Sequence, residues 1–273
     1  MIRNLEYPQD ARKVIDSLIK GLHYDASIAV LGNSAKNYPL PENDKPDLST
    51  GIRFGGKSED IAVRKDAPSL LSQFSLISMV SRMERNAQLL LIQRRFIEEI
   101  YKTGKEVDGN RLWEIKINVH KESRGGPVKL CSELVVEKPS KKLLDRMEWL
   151  SGVVRIRNCL AHRLGIVEFE DLKKPGKSLD DIKDDDTLKV KWLETKLLIN
   201  GKEIEKFPHK GGGKTNLKFK EYEREWKIGD KIEINPIECQ AIGMSFSMLG
   251  NLLLSEFESE MNSVIKEGKS PSK

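Results

Sequence analysis

The sequence has few of the features that stabilise small secreted proteins or insert proteins into membranes. Its 273 residues include only three cysteines, an odd and widely spaced set. They predict neither a disulfide framework nor a zinc site, and free thiols are typical of a reducing compartment. No run of about 18 uncharged apolar residues, the minimum for a membrane helix, is present, and the N-terminus lacks the apolar stretch of a signal peptide. We therefore expect a cytoplasmic protein with no membrane contact and no bound metal.

Neither sign of charge dominates the chain. There are 47 Lys and Arg residues and 42 Asp and Glu residues, which gives a formal net charge of +5. The molecule as a whole attracts polyanions only mildly, so a nucleic-acid surface would have to be a local cluster. Hydrophobic residues make up 38% and charged residues 33% of the sequence. This balance is typical of a soluble globular protein, and the length allows a substantial core in one large domain or two small ones.

Helical periodicity of the apolar residues predicts a mainly α-helical fold. The first helix can begin at Asp10 as its N-cap, and the second can hold Pro68 in its first turn. Each helix carries apolar residues on one face, which predicts packing into a bundle. The four helices are expected over residues 10–29, 68–102, 139–165 and 236–265.

The segment before the last helix has a different pattern. Alternating residues flank Asn200 and Gly201, which is typical of a β-hairpin with a two-residue turn, and Gly229 with Asp230 indicates a second turn. A small antiparallel β insertion is therefore predicted. Residues 112–121 also alternate and are compatible with a strand, whereas residues 128–136 fit a strand or a helix.

These elements predict how the chain is organised. Residues 1–170 are expected to form a helical bundle with a polar loop at 33–66, residues 171–235 a β-hairpin insertion, residues 236–265 the last helix of the bundle, and residues 266–273 a disordered tail.

A cationic cluster, RIRNCLAHR, interrupts the third predicted helix. On a helical wheel the apolar stripe passes through Leu150 and Val154 and then reaches Arg157, where a hydrophobic residue is expected. A buried, unpaired guanidinium is very costly. Arg157 is therefore expected either to pair with a carboxylate of the core or to face an anionic ligand or an interface.

Asn158 and His162 are four residues apart and share one face of this helix, with Arg155 about one turn earlier on the same side. Arg157 and His162 are five residues apart, which separates them by about 140° around an ideal helix. One copy of the chain would not direct both groups at one atom unless the helix is distorted or a second chain contributes. This spacing indicates a homodimer.

Arg157, directly followed by Asn158 and then, at the end of a four-residue spacer, by His162, resembles the signature of the HEPN superfamily. The signature lies on a helix near the end of an α-helical bundle. Glu84, a polar residue among apolar neighbours in the second predicted helix, is similar to a polar residue of the corresponding helix in many members. The resemblance covers the helical parts of the chain and not the β insertion, so the fold it implies is a HEPN-like helical bundle.

The resemblance implies a homodimer whose two motifs meet at a cleft and, in many members, an endoribonuclease that needs neither metal nor cofactor. A histidine can take the proton of a ribose 2′-hydroxyl or protonate the leaving 5′-oxygen. An arginine offers paired donors to the negatively charged phosphorane. Arg157, Asn158 and His162 are therefore the expected catalytic residues, acting on single-stranded RNA and leaving 2′,3′-cyclic phosphate ends.

Other members of the superfamily are binding or dimerisation modules, so a non-catalytic nucleotide- or RNA-binding module is the alternative. The resemblance also implies a toxin or antiviral defence component, with an antitoxin or nucleotidyltransferase as a further partner. Four residues near the motif or on the second helix are weaker candidates for substrate contact: Arg155, Arg163, Glu84 and Arg85.

Three further segments of the sequence bear on function. The string GGGKT at 211–215 lacks the first glycine of a phosphate-binding loop, because Pro208 occupies that position. The acidic run 180–186 is expected to be a solvated loop rather than a calcium site. The second helix carries several arginines, and residues 202–231 interleave basic with aromatic side chains, which fits either single-stranded RNA binding or a hairpin packed on the bundle.

Overall fold

The structure is a computed structural model, which describes residues 10–35, 57–103, 107–134, 139–172, 186–199, 202–203 and 215–268. Within these residues the protein is mainly α-helical, with a small antiparallel sheet that precedes the last helix. The predicted fold class, a mainly α-helical protein with a β insertion, is confirmed at this level.

The helices of the described residues are α1 (Ala11–Ala35), α2 (Lys57–Thr103), α3 (Gly109–Glu122), α4 (Gly126–Leu134), α5 (Lys141–His162), α6 (Phe169–Leu172) and α7 (Pro236–Gly268), and a 3-10 turn, Ser123–Gly125, joins α3 to α4. The strands are β1 (Leu188–Ile199), β2 (Lys202–Glu203) and β3 (Thr215–Trp226).

The long helices α1, α2 and α7 pack against one another and form the centre of the bundle. The predicted apolar face of α1 is buried, including Leu18 and Leu22. On α7, Ile242 and Phe246 are buried in the same core. A polar contact joins α7 to α2 within the core, where the Cys239 thiol lies 3.5 Å from the carbonyl oxygen of Ser72. These contacts leave the outer side of α2 to receive α3, α4 and α5.

The strand interpretation of residues 112–121 is wrong, because these residues form helix α3. Its buried residues are Leu112, Ile115 and Val119, which are three and four positions apart and so line one face of a helix. Asp108 caps this helix by accepting a hydrogen bond from the Arg111 backbone N–H at 2.8 Å. The ambiguous stretch that follows is helical as far as Leu134 in α4, and residues 135–138 lie outside the described part.

Helices α1 and α2 are longer than predicted, so that the loop predicted at 33–66 is shorter. Helix α1 continues to Ala35, and α2 begins at Lys57, so that Pro68 lies inside α2 instead of in its first turn. The sequence before Pro68 is polar, and apolar periodicity therefore gave no signal for a helix there. Helix α7 continues to Gly268, which leaves residues 269–273 of the predicted tail outside the described residues.

The sheet has the order β2-β1-β3 and is antiparallel. Strands β1 and β3 pair from Leu188 opposite Trp226 to the far ends of both strands, and both of these residues are buried. The predicted turn at Asn200 and Gly201 lies outside the described residues, as do the GGGK string at 211–214 and the acidic residues 180–185. The second predicted turn is confirmed, because Gly229 has a φ of 87° and the Asp230 N–H donates to the Lys227 carbonyl at 3.0 Å.

Helix α7 is the described helix whose length and composition would allow it to cross a membrane. Its apolar residues instead fill the core of the bundle, where Leu249, Leu253 and Phe257 are buried. The core helix of a soluble protein satisfies the same criterion. Helix α7 is therefore a core helix of the bundle.

Candidate active site

The motif lies on the last two turns of α5. This helix begins close to the predicted start, where the Ser140 hydroxyl caps it by accepting a hydrogen bond from the Leu143 N–H at 3.2 Å. Along its length it buries apolar residues such as Leu150 and Ile156. At its end the apolar stripe opens to solvent, since Ala161 is exposed although it continues that stripe. The motif therefore combines buried residues with residues at the surface.

Arg157 lies at the edge of this opening and faces Glu84 of α2. The Arg157 side chain is 22% exposed, and its Nη2 is 3.8 Å from Oε2 of Glu84. This distance makes an ion pair but exceeds that of a hydrogen bond. The buried Nε of Arg157 has no hydrogen-bond partner among the described residues. The pair expected from the sequence is therefore present, yet the guanidinium keeps donors for a further acceptor.

Asn158 and His162 lie on another side of the same turns. Asn158 is half-buried, and His162 is exposed as the last residue of α5. Neither side chain makes a hydrogen bond or ion pair within the described part of the chain. Helix α5 runs without a break through both residues, so Arg157 and His162 keep the helical separation of about 140°. One chain presents the two groups on different sides of one helix end.

Arg155 connects α5 to the sheet. Its Nη2 donates to the Lys189 carbonyl of β1 at 3.4 Å, and its buried Nε has no partner among the described residues. Burial lowers the pKa of Arg155, and the nearby carboxylates of Asp171 and Glu148 oppose this effect. Arg155 is thus a partly desolvated cation on the same side of the helix as His162.

Arg163, directly after the motif, is held by carboxylates of the same chain. Its Nη1 donates to Oδ1 of Asp171 at 2.7 Å, and its Nε lies 3.0 Å from a carboxylate oxygen of Glu168. Asp171 is only 2% exposed and also accepts from the Glu168 N–H at 3.0 Å. Contact of Arg163 with substrate remains a prediction. The contacts of Arg163 within the chain hold the end of α5 to α6.

The turn that follows the motif presents an apolar side chain to solvent. Leu164 is 88% exposed and has a φ of 53°, which is uncommon for a residue other than glycine. The Gly165 N–H donates to the Cys159 carbonyl at 3.2 Å, and the Gly165 carbonyl accepts from the Ile232 N–H at 2.7 Å. These bonds hold a strained turn beside His162.

Helix α2 carries an exposed cation next to the Glu84–Arg157 pair, since Arg85 is exposed. The exposed apolar residues Leu70 at 45% and Phe74 at 65% are ten or more positions from Glu84, which is about 15 Å or more along the helix axis. They are therefore not part of the surface around the motif.

Most of the other arginines of α2 are paired within the chain. Arg82 donates to Asp25 at 2.7 Å, and the buried Arg94 pairs with Glu98 and Glu260 at 2.9 and 2.8 Å. Arg95 lies 3.8 Å from Glu98 and 4.0 Å from Glu122. The arginines expected from the sequence to form a basic surface on α2 thus mostly tie helices together.

All three cysteines are free and buried. Burial raises the pKa of Cys131, of Cys159 and of Cys239 to about 12. Cys159 lies in the spacer of the motif, and its thiol contacts the Ile166 carbonyl at 3.0 Å. A thiol that stays protonated in this way is a poor nucleophile.

Sequence reasoning missed the residues that support the motif. Asp171 and Glu168 hold Arg163, and Leu164 adopts its left-handed conformation between them and α5. These contacts depend on the return of the chain after α5, which apolar periodicity does not report. The sequence signal that could have indicated these contacts is the position of Glu168 and Asp171, five and eight residues after Arg163.

No model of a known protein family matches this chain, and neither does any curated protein or any solved structure. The function is therefore inferred from the motif and its surroundings.

Proposed function

We propose that this protein is a metal-independent endoribonuclease of the HEPN type, which cleaves single-stranded RNA at a site shared by two copies of the chain. The observation that carries the proposal is the end of α5. There an exposed His162 and an Arg157 with an unused buried Nε lie on different sides of one helix. Two chains are needed to bring an arginine and a histidine to the same phosphate.

The dimer is supported by apolar residues exposed directly after the motif. Leu164 is 88% exposed and Ile166 is 47% exposed. Exposed apolar residues grouped in this way are typical of protein interfaces. In the proposed dimer Arg157 of one chain acts together with His162 of the other, which gives two such pairs in one cleft.

The chemistry follows from the residue types. The His162 imidazole takes the proton of the ribose 2′-hydroxyl, and the 2′-oxygen attacks the adjacent phosphorus. Arg157 donates hydrogen bonds to the phosphorane, on which negative charge develops. The 5′-oxygen then leaves with a proton returned from an imidazolium. The products are a 2′,3′-cyclic phosphate and a 5′-hydroxyl.

The neighbouring residues have supporting roles in this proposal. Glu84, 3.8 Å from Arg157, orients the guanidinium without occupying its donors. Asn158 hydrogen-bonds the phosphate or the imidazole, while Arg155 and Arg85 attract the RNA backbone. Function as a toxin or antiviral defence component, with an antitoxin or nucleotidyltransferase partner, is part of the same proposal.

Cleavage of a labelled single-stranded RNA in excess EDTA tests the proposal. We expect the unchanged protein to cut the RNA and to leave cyclic phosphate ends. Loss of the base in His162→Ala is expected to slow cleavage by about 10²–10⁴-fold. The Arg157→Ala variant is expected to be impaired to a similar degree, because it loses charge stabilisation in the transition state.

His23→Ala provides a matched control, because His23 is an exposed histidine on α1. This variant is expected to cut at the rate of the unchanged protein. Equal cleavage by the unchanged protein and by all three variants would indicate a contaminating nuclease and would remove the support for this site.

A non-catalytic module is the second candidate, and the Glu84–Arg157 ion pair favours it, because a carboxylate already accompanies the arginine. In that case the two residues bind RNA or stabilise the dimer without cutting. Purified protein that binds RNA but leaves it intact under the same conditions would support this candidate.

A further inference from the structure

The β1–β3 hairpin extends beyond the bundle that supports its base. At the base, the Leu193 N–H of β1 donates to the Ser245 hydroxyl of α7 at 2.8 Å, and Trp192 is buried. In the far half of β3, Asn216, Lys218 and Lys220 are exposed. The far half therefore presents its side chains to solvent.

Charges on the base of the hairpin are balanced across the strands. On one face Lys189 pairs with Glu225, and Lys191 lies 3.2 Å from Glu223. The hydrogen bond with Glu223 also raises the pKa of Lys191. Cross-strand pairs of opposite charge of this kind stabilise a sheet, so this face has little charge left for a partner.

The opposite face of the far half has an excess of positive charge. In the strand register Lys196 is directly opposite Lys218, and Glu194 is opposite Lys220. Neither Lys218 nor Lys220 has an ion-pair partner within the part of the chain that the structure describes. Both lysines are exposed, so an anionic ligand can reach them.

An aromatic ring continues the same face. Tyr222 is 42% exposed, and its ring centroid lies 5.0 Å from that of the buried Trp192. Same-face neighbours on a strand are about 6.7 Å apart, so Lys218, Lys220 and Tyr222 form a regular row. Cations in line with an aromatic ring that packs beside its cross-strand neighbour provide phosphate neutralisation and base stacking, which single-stranded nucleic acids require.

We propose that the hairpin basic face, formed by Lys218, Lys220 and Tyr222, binds single-stranded RNA through its phosphates and one stacked base. Within β3 Glu221 lies on the other face, whereas Glu194 of β1 shares this face and is opposite Lys220, which leaves an excess of positive charge on this side of the hairpin. This inference extends the proposed function, since it supplies a second point of attachment for the RNA that is cut at the motif.

Binding of a fluorescein-labelled oligouridine, measured by anisotropy over a series of salt concentrations, tests the inference. The measurement uses the full chain carrying His162→Ala, so that the probe stays intact. In this background Lys218→Glu with Lys220→Glu is expected to weaken binding by at least about tenfold. Loss of two phosphate contacts is also expected to reduce the salt slope of log K by about 1.4.

Two controls match these changes in chemistry. Lys13→Glu with Lys20→Glu reverses two exposed lysines on α1 and is expected to alter affinity less than twofold. Tyr222→Leu is expected to weaken binding, whereas Phe219→Leu is not, because Phe219 is also exposed at 45% but lies on the other face. Circular dichroism melting of each variant verifies that the hairpin remains folded.

The inference is overturned if the Lys218 and Lys220 double variant binds as tightly as its parent, if Phe219→Leu weakens binding as much as Tyr222→Leu, or if the parent does not bind the probe. The proposed function fails separately. If RNA binding depends on the hairpin basic face but the unchanged protein, which retains His162, does not cut RNA, the inference is sustained and the proposed nuclease activity is contradicted.

Discussion

Arg157 and Arg163 flank the motif and have very different surroundings. Arg157 meets one carboxylate at 3.8 Å and keeps an unused Nε, whereas Arg163 has short contacts with Asp171 and Glu168. The helical wheel predicted that Arg157 occupies a core position and needs a partner. It could not predict the partners of Arg163, because Asp171 contacts Arg163 only once the chain has turned back after α5.

Arg163→Ala is expected to lower the free energy of unfolding by about 3 kcal/mol, because it leaves the buried Asp171 carboxylate without its cation. Urea unfolding measures this change. Arg12→Ala removes the exposed Arg12–Glu258 pair and is expected to leave the urea midpoint unchanged, since exposed pairs contribute little. Equal shifts for the two variants would show that Asp171 does not depend on Arg163.

At the scale of elements, α5 joins the motif to both the bundle and the sheet. Gly152 permits the close approach of β1, because a Cβ at this position would lie 3.1 Å from the Lys189 carbonyl oxygen and 3.4 Å from Val190. Arg155 donates to the same carbonyl one turn later. Contacts between α5 and β1 thus hold the helix that carries His162.

Gly152→Val is expected to destabilise the protein by about 2 kcal/mol, because the added methyl groups meet backbone atoms that cannot move without displacing β1. Thermal or urea unfolding measures the change. Ser151→Val is the matched control, since Ser151 is half-buried on the same helix and serine and valine have similar helix propensities. Comparable losses for the two variants would contradict a tight α5–β1 contact.

Much of the arrangement of the helices was predictable from the periodicity of apolar residues. The apolar faces of α1, α2, α5 and α7 were predicted, because long amphipathic helices repeat one signal many times. Helix α3 was not, since alternating residues in a short segment match a strand as well as a helix. Its burial at Leu112, Ile115 and Val119 depends on packing against α2, which the sequence of the segment does not contain.

For the whole molecule, the proposed site requires a second chain. The straight α5 keeps Arg157 and His162 about 140° apart, so a single copy offers each phosphate only one of the two groups. The motif spacing predicted this separation from the sequence. The sequence did not predict that Leu164 and Ile166 would be exposed next to the motif, because exposure of an apolar residue depends on what packs against it.

Selective pairing of variant chains tests the shared site most directly. Two differently tagged chains, one with Arg157→Ala and the other with His162→Ala, are co-expressed and purified through both tags. The resulting heterodimer retains one Arg157 and one His162, on opposite chains. We predict that it cuts single-stranded RNA in EDTA, although each variant homodimer does not.

A second heterodimer supplies the control, in which an unchanged chain is paired with a chain carrying both substitutions. This dimer also retains one arginine and one histidine, but on the same chain, and we predict that it is inactive. Cleavage by the second heterodimer and not by the first, or an unchanged chain that cuts RNA with a solution mass of 31.1 kDa, would contradict a site shared between two chains.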